Sequence, residues 1–405
     1  IRNLTNRAYI SNSLKESLGR FEMYRYSFIY APTGYGKSKV CKTFFKNYSG
    51  YTVLWIDADS SQDIFWENLC NAIKILNPSF AESFKKIGFP DSPEDVNAII
   101  NILSIMNSDK SSALLIIDNF DNILDDNICK IFASSYSSTA IGFKYIFILR
   151  KITSQNIINL ISKDEALGIG KNELSFSLED IEDYFRLNEV ILDKETAKTI
   201  YETTSGWPYV VHLCAEAHKN GMVEGAYSWW AQRVNKCNTF IENNIWLELN
   251  HDEREFLSDM GVFSSFTLNQ CIKQTLLKEK ECLDMLNGIA FVDYNEHTRK
   301  YSFNPMFKRF IEQMLKEKPA KELRNITLRA ARTNLEAGNY FEAMKLFSQS
   351  KEYSEIYQCT CDFVHIYPFV IKQNKDVFSD IANHYWNVEK NGQYTFSIII
   401  CFSML

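Results

Sequence analysis

The sequence lacks any close grouping of metal-binding residues and any concentration of charge of one sign. Its ten cysteines include no C-x-x-C pair and its six histidines are dispersed, so we predict no metal site built from these side chains. Scattered cysteines in a chain of 405 residues indicate reduced thiols and a cytoplasmic protein. With 44 basic and 50 acidic residues and no basic stripe, the composition argues against a nucleic-acid-binding surface within these residues.

Long hydrophobic runs are also missing. The most apolar stretch, "TFSIIICFSML" at 395–405, has 11 residues, whereas a membrane-spanning helix needs about 20. We therefore predict a core helix there and no membrane partner. Because the chain begins at Ile1 and ends inside this apolar pattern, we expect it to be a fragment of a longer protein. Hydrophobic residues make up 46% of the chain, enough for real cores, and the length predicts roughly two to four domains.

The first third of the chain alternates between apolar runs and amphipathic stretches. The runs are rich in β-branched and aromatic residues, which is typical of strands covered on both faces by helices. Predicted strands lie at 26–30, 51–57, 113–119 and 144–150, and predicted helices include 64–76 and 93–107. Strand–helix alternation of this kind predicts an α/β domain with a parallel, doubly covered sheet.

Later segments have a different character. Residues 155–232 have helical patterns, and "GIAFVDYNEHTRKYSFN" within 236–317 has two apolar runs flanking a polar turn, which suits the hairpin of a small winged-helix unit. Beyond Pro319 the chain is predicted to be helical, with two helices around Gly338-Asn339 that resemble a TPR-like repeat. The predicted domains are a nucleotide-binding domain at 1–154, a helical lid at 155–235, a winged helix at 236–317 and the start of a helical-repeat domain at 318–405.

The stretch "APTGYGKS" follows the first predicted strand and opens a helix, the layout of a phosphate-binding loop. The full template is G-x-x-x-x-G-K-[S/T], and Ala31 stands in place of its first glycine. Backbone N–H groups of residues 34–38 are predicted to cradle the phosphates of ATP or ADP. Gly34 and Gly36 supply backbone angles that a Cβ would resist. The alternative is a glycine-containing strand–helix turn with a coincidental Lys-Ser.

Individual side chains of this loop have distinct predicted roles. Lys37 would bridge the β- and γ-phosphates, and the Ser38 hydroxyl would bind Mg²⁺. Thr33, Tyr35 and Lys39 are the remaining predicted contacts of the loop with the nucleotide.

A second acidic motif, "LLIIDNFDN", places Asp118 at the end of an apolar strand. In P-loop proteins such an aspartate holds the Mg²⁺ ion and its water shell. Many active members have a second acid immediately afterwards, but here that position is Asn119, whose amide cannot accept a proton as a carboxylate can. Asp121, two residues further on, is the candidate substitute. The sequence therefore predicts intact nucleotide binding and leaves hydrolysis open, and Asp118 as a simple strand-end turn residue is the alternative.

Together these motifs resemble the STAND class of signal-transducing P-loop ATPases, and within it the large LuxR-type transcriptional activators related to the maltose-operon regulator. Besides "APTGYGKS" and "LLIIDNFDNI", the similar stretches are "VLWIDAD", "IFWENLCNAI", "IFILR", "ELSFSLEDIEDYF", "TTSGWPYVVHL", "KYSFNPMFKRFIEQML" and "LRAARTNLEAGNYFEAMKLF". Asn119 and Asp121 depart from the family pattern.

The resemblance implies further site residues. Arg150, at the end of "IFILR", would read the γ-phosphate, although it could be a surface residue. Pro208, in the Gly-x-Pro element of the lid, would pack against adenine, although Pro also simply begins helices. Asn304 stands where the family usually has the first histidine of a His-His pair facing the β-phosphate of ADP. An uncharged Asn before Pro also commonly makes only a turn.

The resemblance also implies a mode of action. Such proteins are switches in which ADP locks a closed monomer. A small-molecule inducer binds the helical repeats, and exchange to ATP lets protomers assemble. DNA is bound only through a C-terminal domain, which we expect to lie beyond residue 405. Slow hydrolysis would suit a switch that is reset by nucleotide exchange.

Three other interpretations stay open. The chain could be a P-loop ATPase or kinase with real turnover, although no substrate pocket with its own acid or base is evident. It could be a nucleotide-independent helical-repeat scaffold with a decayed ATPase domain, as the departures at Ala31, Asn119 and Asn304 would allow. It could also be a STAND protein with an effector other than a transcriptional one.

Overall fold

The computed structural model forms two compact units, Ile1–Phe240 and Ile241–Leu405. It describes residues 8–352 except 47, 59–60, 109–111, 124–126, 129, 132–142 and 220–225, and beyond 352 it describes only residues 355, 356 and 359. The predicted terminal helix at 395–405 lies outside the described residues.

A parallel sheet of five strands forms the centre of the first unit. Its strands are β1 (Tyr26–Tyr30), β2 (Thr52–Asp57), β3 (Ala113–Asp118), β4 (Lys144–Leu149) and β5 (Leu167–Ile169). They lie in the order β2-β3-β4-β1-β5. Every residue of β3 and β4 is buried, as expected when helices cover both faces of a sheet. The predicted α/β class and the four predicted strands are confirmed.

The described α-helices of this unit lie before, between and after the strands. They are Asn12–Gly19, Lys37–Phe45, Gln62–Leu76, Pro78–Ile87, Pro93–Ser108, Gln155–Ser162, Lys171–Leu174, Leu178–Leu187, Lys194–Thr204, Pro208–Lys219 and Ala226–Asn244, the last of which runs on into the second unit. A mainly apolar cluster beneath the sheet includes Phe28, Phe65, Trp66 and Phe147. The prediction of helices alone across 155–232 was wrong at β5, because three residues are too short to show a strand period.

The second unit contains a winged-helix element. Its helices are His251–Met260, Leu268–Thr275, Glu279–Gly288 and Pro305–Glu317. Strands β6 (Val292–Asn295) and β7 (Lys300–Phe303) pair antiparallel, and Phe266 bridges to Tyr301 at the side of β7. The hairpin predicted around the polar turn "NEHTRK" is therefore confirmed.

A helical hairpin follows. The helices Ala320–Glu336 and Tyr340–Ser350 are joined at Gly338, whose φ of 75° is in the left-handed region that glycine tolerates best. This is the helix pair that the sequence predicts. The four domain boundaries stay predictions. Within the described part of the chain, no helix is both long and apolar enough to span a bilayer.

Candidate nucleotide-binding site

The predicted phosphate loop lies at the carboxyl edge of the sheet, between β1 and the helix Lys37–Phe45. Gly34 and Gly36 have φ values of 87° and 75°, and Gly36 is the N-cap of the helix. These angles are disfavoured for residues with a Cβ. The loop thereby brings the first turn of a helix, whose N–H groups have no partner within the helix, to the edge where ligands of open parallel sheets bind.

Lys37 turns back over this loop. Its ammonium donates hydrogen bonds to the carbonyl oxygens of Ala31 at 2.6 Å and Pro32 at 3.2 Å. Burial lowers the pKa of Lys37 to about 8, against the opposing influence of the Asp121 and Asp118 carboxylates. A partly buried cation at the first turn of a helix, where N–H groups have no partner within the helix, suits a negatively charged phosphate group.

Ser38 and Asp118, predicted to bind Mg²⁺ together, are in contact. The Ser38 hydroxyl donates to Asp118 Oδ1 at 2.8 Å, from a residue 80 positions earlier in the chain. Burial raises the pKa of Asp118, and the hydrogen bond from Ser38 opposes this shift. A hydroxyl and a carboxylate are the oxygen ligands that Mg²⁺ prefers, with phosphate oxygens and water completing its shell. These two residues therefore fit the ion that the loop implies. Among the described residues no cluster of three or more His, Cys, Asp or Glu side chains could hold a metal by itself.

Asp121 and Arg150 form an ion pair beside these groups. Arg150 Nε lies 3.4 Å from Asp121 Oδ2, and the backbone N–H of Arg150 donates to Asp121 Oδ1 at 3.1 Å. Asp121 lies in a short 3-10 helix that follows β3, and Arg150 follows β4 directly. The structure thus places the predicted sensor arginine next to the predicted substitute acid, both within electrostatic reach of Lys37.

Residues of the predicted lid pack onto the phosphate loop. A Cβ built on Gly34 would lie 2.6 Å from Trp207 Nε1, and the backbone N–H of Tyr209 donates to Gly34 O at 3.1 Å. The buried rings of Tyr35 and Trp207 stack with centroids 6.4 Å apart. Pro208 lies between the two lid contacts and begins the helix Pro208–Lys219. The position predicted to contact adenine is therefore at the loop, and its contact with a base stays a prediction.

The other predicted contacts vary in placement. Thr33 is partly buried in the loop, and Lys39 is exposed on the first turn of the helix. Asn304 belongs to the second unit, where its buried side chain accepts the N–H of Met306 at 3.1 Å and caps the helix Pro305–Glu317. Its predicted phosphate contact stays a prediction.

Two residues at this site were not predicted from the sequence. Asp57, at the end of β2, accepts a hydrogen bond from the Asn119 side chain at 2.9 Å. Tyr209 binds the loop through its backbone, which no side-chain pattern can show. Of these residues, only Asp57 could have been predicted from the sequence pattern, since it ends a predicted strand as Asp118 does.

No protein-family model matches this chain. The HTH-type transcriptional regulator MalT of Yersinia enterocolitica is 22% identical over 349 residues, which cover 83% of this chain and 38% of the relative. MalT of Yersinia pestis is 22% identical over 337 residues, covering 79% and 36%. The predicted resemblance to LuxR-type regulators related to the maltose-operon regulator is thereby confirmed, and the chain spans less than two fifths of these relatives' length.

Two solved structures from archaea are also similar. The STAND protein with a tetratricopeptide repeat sensor from Pyrococcus horikoshii matches 98% of this chain and 56% of its own, with 16% identity and a TM-score of 0.40. A Walker-type ATPase of Pyrococcus abyssi matches 74% and 93%, with 13% identity and a TM-score of 0.49. By its own sheet order and loop, this chain is an α/β P-loop domain followed by helical regions.

Proposed function

We propose that this chain is the nucleotide-binding switch of a LuxR-type transcriptional regulator. ADP occupies the phosphate loop in a closed resting state. Exchange to ATP, together with a small-molecule inducer at the helical repeats, drives assembly of protomers. DNA is bound by a part of the regulator outside the length that this chain covers, and the protein acts in the cytoplasm.

The observation that carries this proposal is the attachment of the lid to the phosphate loop. The indole of Trp207 packs against Gly34, and the backbone N–H of Tyr209 donates a hydrogen bond to the carbonyl oxygen of Gly34. A nucleotide that orders the loop therefore acts directly on the lid. A ligand shifts a two-state equilibrium only by its difference in affinity for the two states, and a loop shared between a phosphate site and a lid supplies such a difference.

The pairing of Arg150 with Asp121 supports the same interpretation. The pair lies close enough to Lys37 to affect its pKa, so a γ-phosphate near Lys37 would compete with Asp121 for the arginine. ATP and ADP would then leave Arg150 in different positions. The similarity to regulators named MalT over 83% of the chain supports a switch rather than a phosphotransferase.

The nucleotide content of the purified protein tests the proposal. The protein is denatured, and any released nucleotide is identified by ion-exchange chromatography against standards. ADP in near-stoichiometric amount is expected. Lys37→Ala should lose it, because the cation beside the phosphates is removed. Lys85→Ala, at an exposed lysine in the last turn of the helix Pro78–Ile87, should keep it.

Other outcomes would replace the proposal. A protein that carries no nucleotide and has no measurable affinity for added ADP or ATP would be the scaffold with a decayed ATPase domain. Fast steady-state turnover of ATP would make it an enzyme. Retained ADP without any effect of the full-length protein on transcription would indicate a STAND protein with another effector.

A further inference from the structure

Two aspartates end neighbouring strands at the edge of the sheet that bears the phosphate loop. Asp57 ends β2 and Asp118 ends β3, and the two residues are paired in register. The backbone N–H of Ala58 donates to Asp118 O at 2.9 Å, which continues the ladder one residue further. Asp57 therefore lies directly beside the aspartate that the Ser38 hydroxyl contacts.

Asn119 connects these two strand ends. It has a left-handed backbone, with φ 56° and ψ 36°. Its N–H donates to Asp118 Oδ1 at 3.1 Å, and its side-chain amide donates to Asp57 Oδ1 at 2.9 Å. The amide at the position of the usual second acid thus holds a carboxylate that comes from the next strand. A carboxylate has about four acceptor sites on its two oxygens, so this bond leaves Asp57 able to accept others.

Asp121, the substitute acid predicted from the sequence, is engaged differently. Its Oδ1 accepts the backbone N–H of Arg150, and its Oδ2 faces the Arg150 guanidinium. Both carboxylate oxygens of Asp121 therefore interact with Arg150. Asp57, in contrast, is exposed to solvent, and it lies beside Asp118 at the ends of the paired strands.

We propose that Asp57 is the carboxylate that orients and deprotonates the attacking water in ATP hydrolysis, and that Asn119 is its positioning residue. This inference rests on the proposed function. The water oxygen bonds to the γ-phosphorus, and the bond from that phosphorus to the β–γ bridging oxygen breaks, leaving its electron pair on ADP. The water proton passes to Asp57 and then to the phosphate product. The pair Asp57–Asn119 does what one acid after Asp118 does in other P-loop ATPases.

Single-turnover hydrolysis and equilibrium binding of ATP with Mg²⁺ test this role on the whole protein. Asp57→Asn should slow the single turnover by about 100-fold or more, the usual contribution of a general base, with ATP affinity within about threefold of wild type. Asp57→Glu should recover part of the rate. Asn119→Ala should slow it by a smaller factor, since the carboxylate stays but loses its orientation.

A second measurement needs no hydrolysis assay on the purified protein. The nucleotide retained by protein purified from cells should change from ADP in the wild type to ATP in Asp57→Asn. Asp63→Asn, which alters an exposed acid in the first turn of the helix Gln62–Leu76, is the matched control and should keep ADP.

Two results would overturn the inference while leaving the switch intact. One is an Asp57→Asn protein that hydrolyses ATP at the wild-type rate while Asp121→Asn is slow, which would assign the base to Asp121. The other is a wild type that binds ATP tightly but shows no turnover in hours. A wild type that binds no nucleotide at all would remove both this inference and the proposed function.

Discussion

The indole of Trp207 occupies the space that a side chain at Gly34 would need. A Cβ on Gly34 would lie 2.6 Å from Trp207 Nε1, closer than a relaxed structure allows, and 3.1 Å from Tyr209 Cβ, a tight contact. Two residues 173 positions apart therefore restrict each other, and the lid adds to the positive φ of Gly34 a second reason for glycine at this position. The phosphate loop and the lid are one packing unit.

Gly34→Ala is predicted to damage both parts of this unit. It combines a left-handed backbone, which costs about 1–2 kcal/mol with a Cβ, with displacement of the indole. We expect a loss of ADP affinity of at least about tenfold (1.4 kcal/mol) and a lower melting temperature. Gly50→Ala is the control, because Gly50 has φ 98° and open space around it. Equal losses of stability in both variants, with ADP affinity unchanged in Gly34→Ala, would show that the lid contact has no consequence.

Arg150→Ala is predicted to weaken the binding of ATP more than the binding of ADP. If Arg150 leaves Asp121 for a γ-phosphate, its removal should weaken ATP binding by about tenfold, the loss of one charge-assisted contact, and leave ADP affinity within about threefold. Isothermal titration with ADP and a non-hydrolysable ATP analogue measures both. Lys151→Ala, the neighbouring exposed cation, controls for a general loss of positive charge. An equal loss for both nucleotides would remove the sensor role.

Lys144 is predicted to make stability depend on pH. Its buried ammonium donates to the carbonyl oxygens of Phe21, Glu22 and Tyr24 at 3.4, 2.6 and 2.9 Å. Burial lowers the pKa of Lys144 to about 8, below its value of about 10.4 in an unfolded chain. Between these two values the unfolded state binds more protons, so the free energy of unfolding contributed by this group rises with pH.

Lys144→Met isolates this effect from other titrating groups. Urea unfolding from pH 7 to 9.5 should show a shallower rise of stability in the variant than in the wild type. At pH 7 the variant should lose about 1–3 kcal/mol, because buried carbonyl groups are left without their donor. If the free energy of unfolding changes with pH by the same slope in both proteins, the proton uptake on unfolding belongs to groups other than Lys144.

Asn334 joins the winged helix to the first repeat helix of the second unit. Its buried Oδ1 accepts from Gln270 Nε2 and Asn339 Nδ2, both at 3.1 Å. Asn334→Ala should destabilise the protein by about 1–3 kcal/mol, since the buried amide of Gln270 and the partly buried amide of Asn339 lose their acceptor. Asn325→Ala, an exposed asparagine on the same helix, should change stability by less than about 0.5 kcal/mol. Matching unfolding curves for the two variants would contradict a structural role for this network.

Local patterns account for what could be predicted. The four long strands, the loop at Gly34–Ser38 and the hairpin before Asn304 are each encoded by neighbouring residues, because apolar runs, turn residues and glycine spacing act over a few positions. Strand β5 was missed because three residues carry no period. It forms only because β1 offers an edge for Ser27, Phe28 and Ile29 to pair with it.

The sequence by itself determined the chemistry available: a phosphate loop with Lys37 and Ser38, an aspartate at the end of β3, and an amide where a second acid is usual. Only the tertiary structure decided how these groups are used. Asn119 meets Asp57 across 62 residues because β2 lies beside β3, and Trp207 meets Gly34 because the lid folds back onto the loop. Such contacts depend on the order of strands and the closure of long loops, which are settled by the burial of the whole core rather than by any local segment.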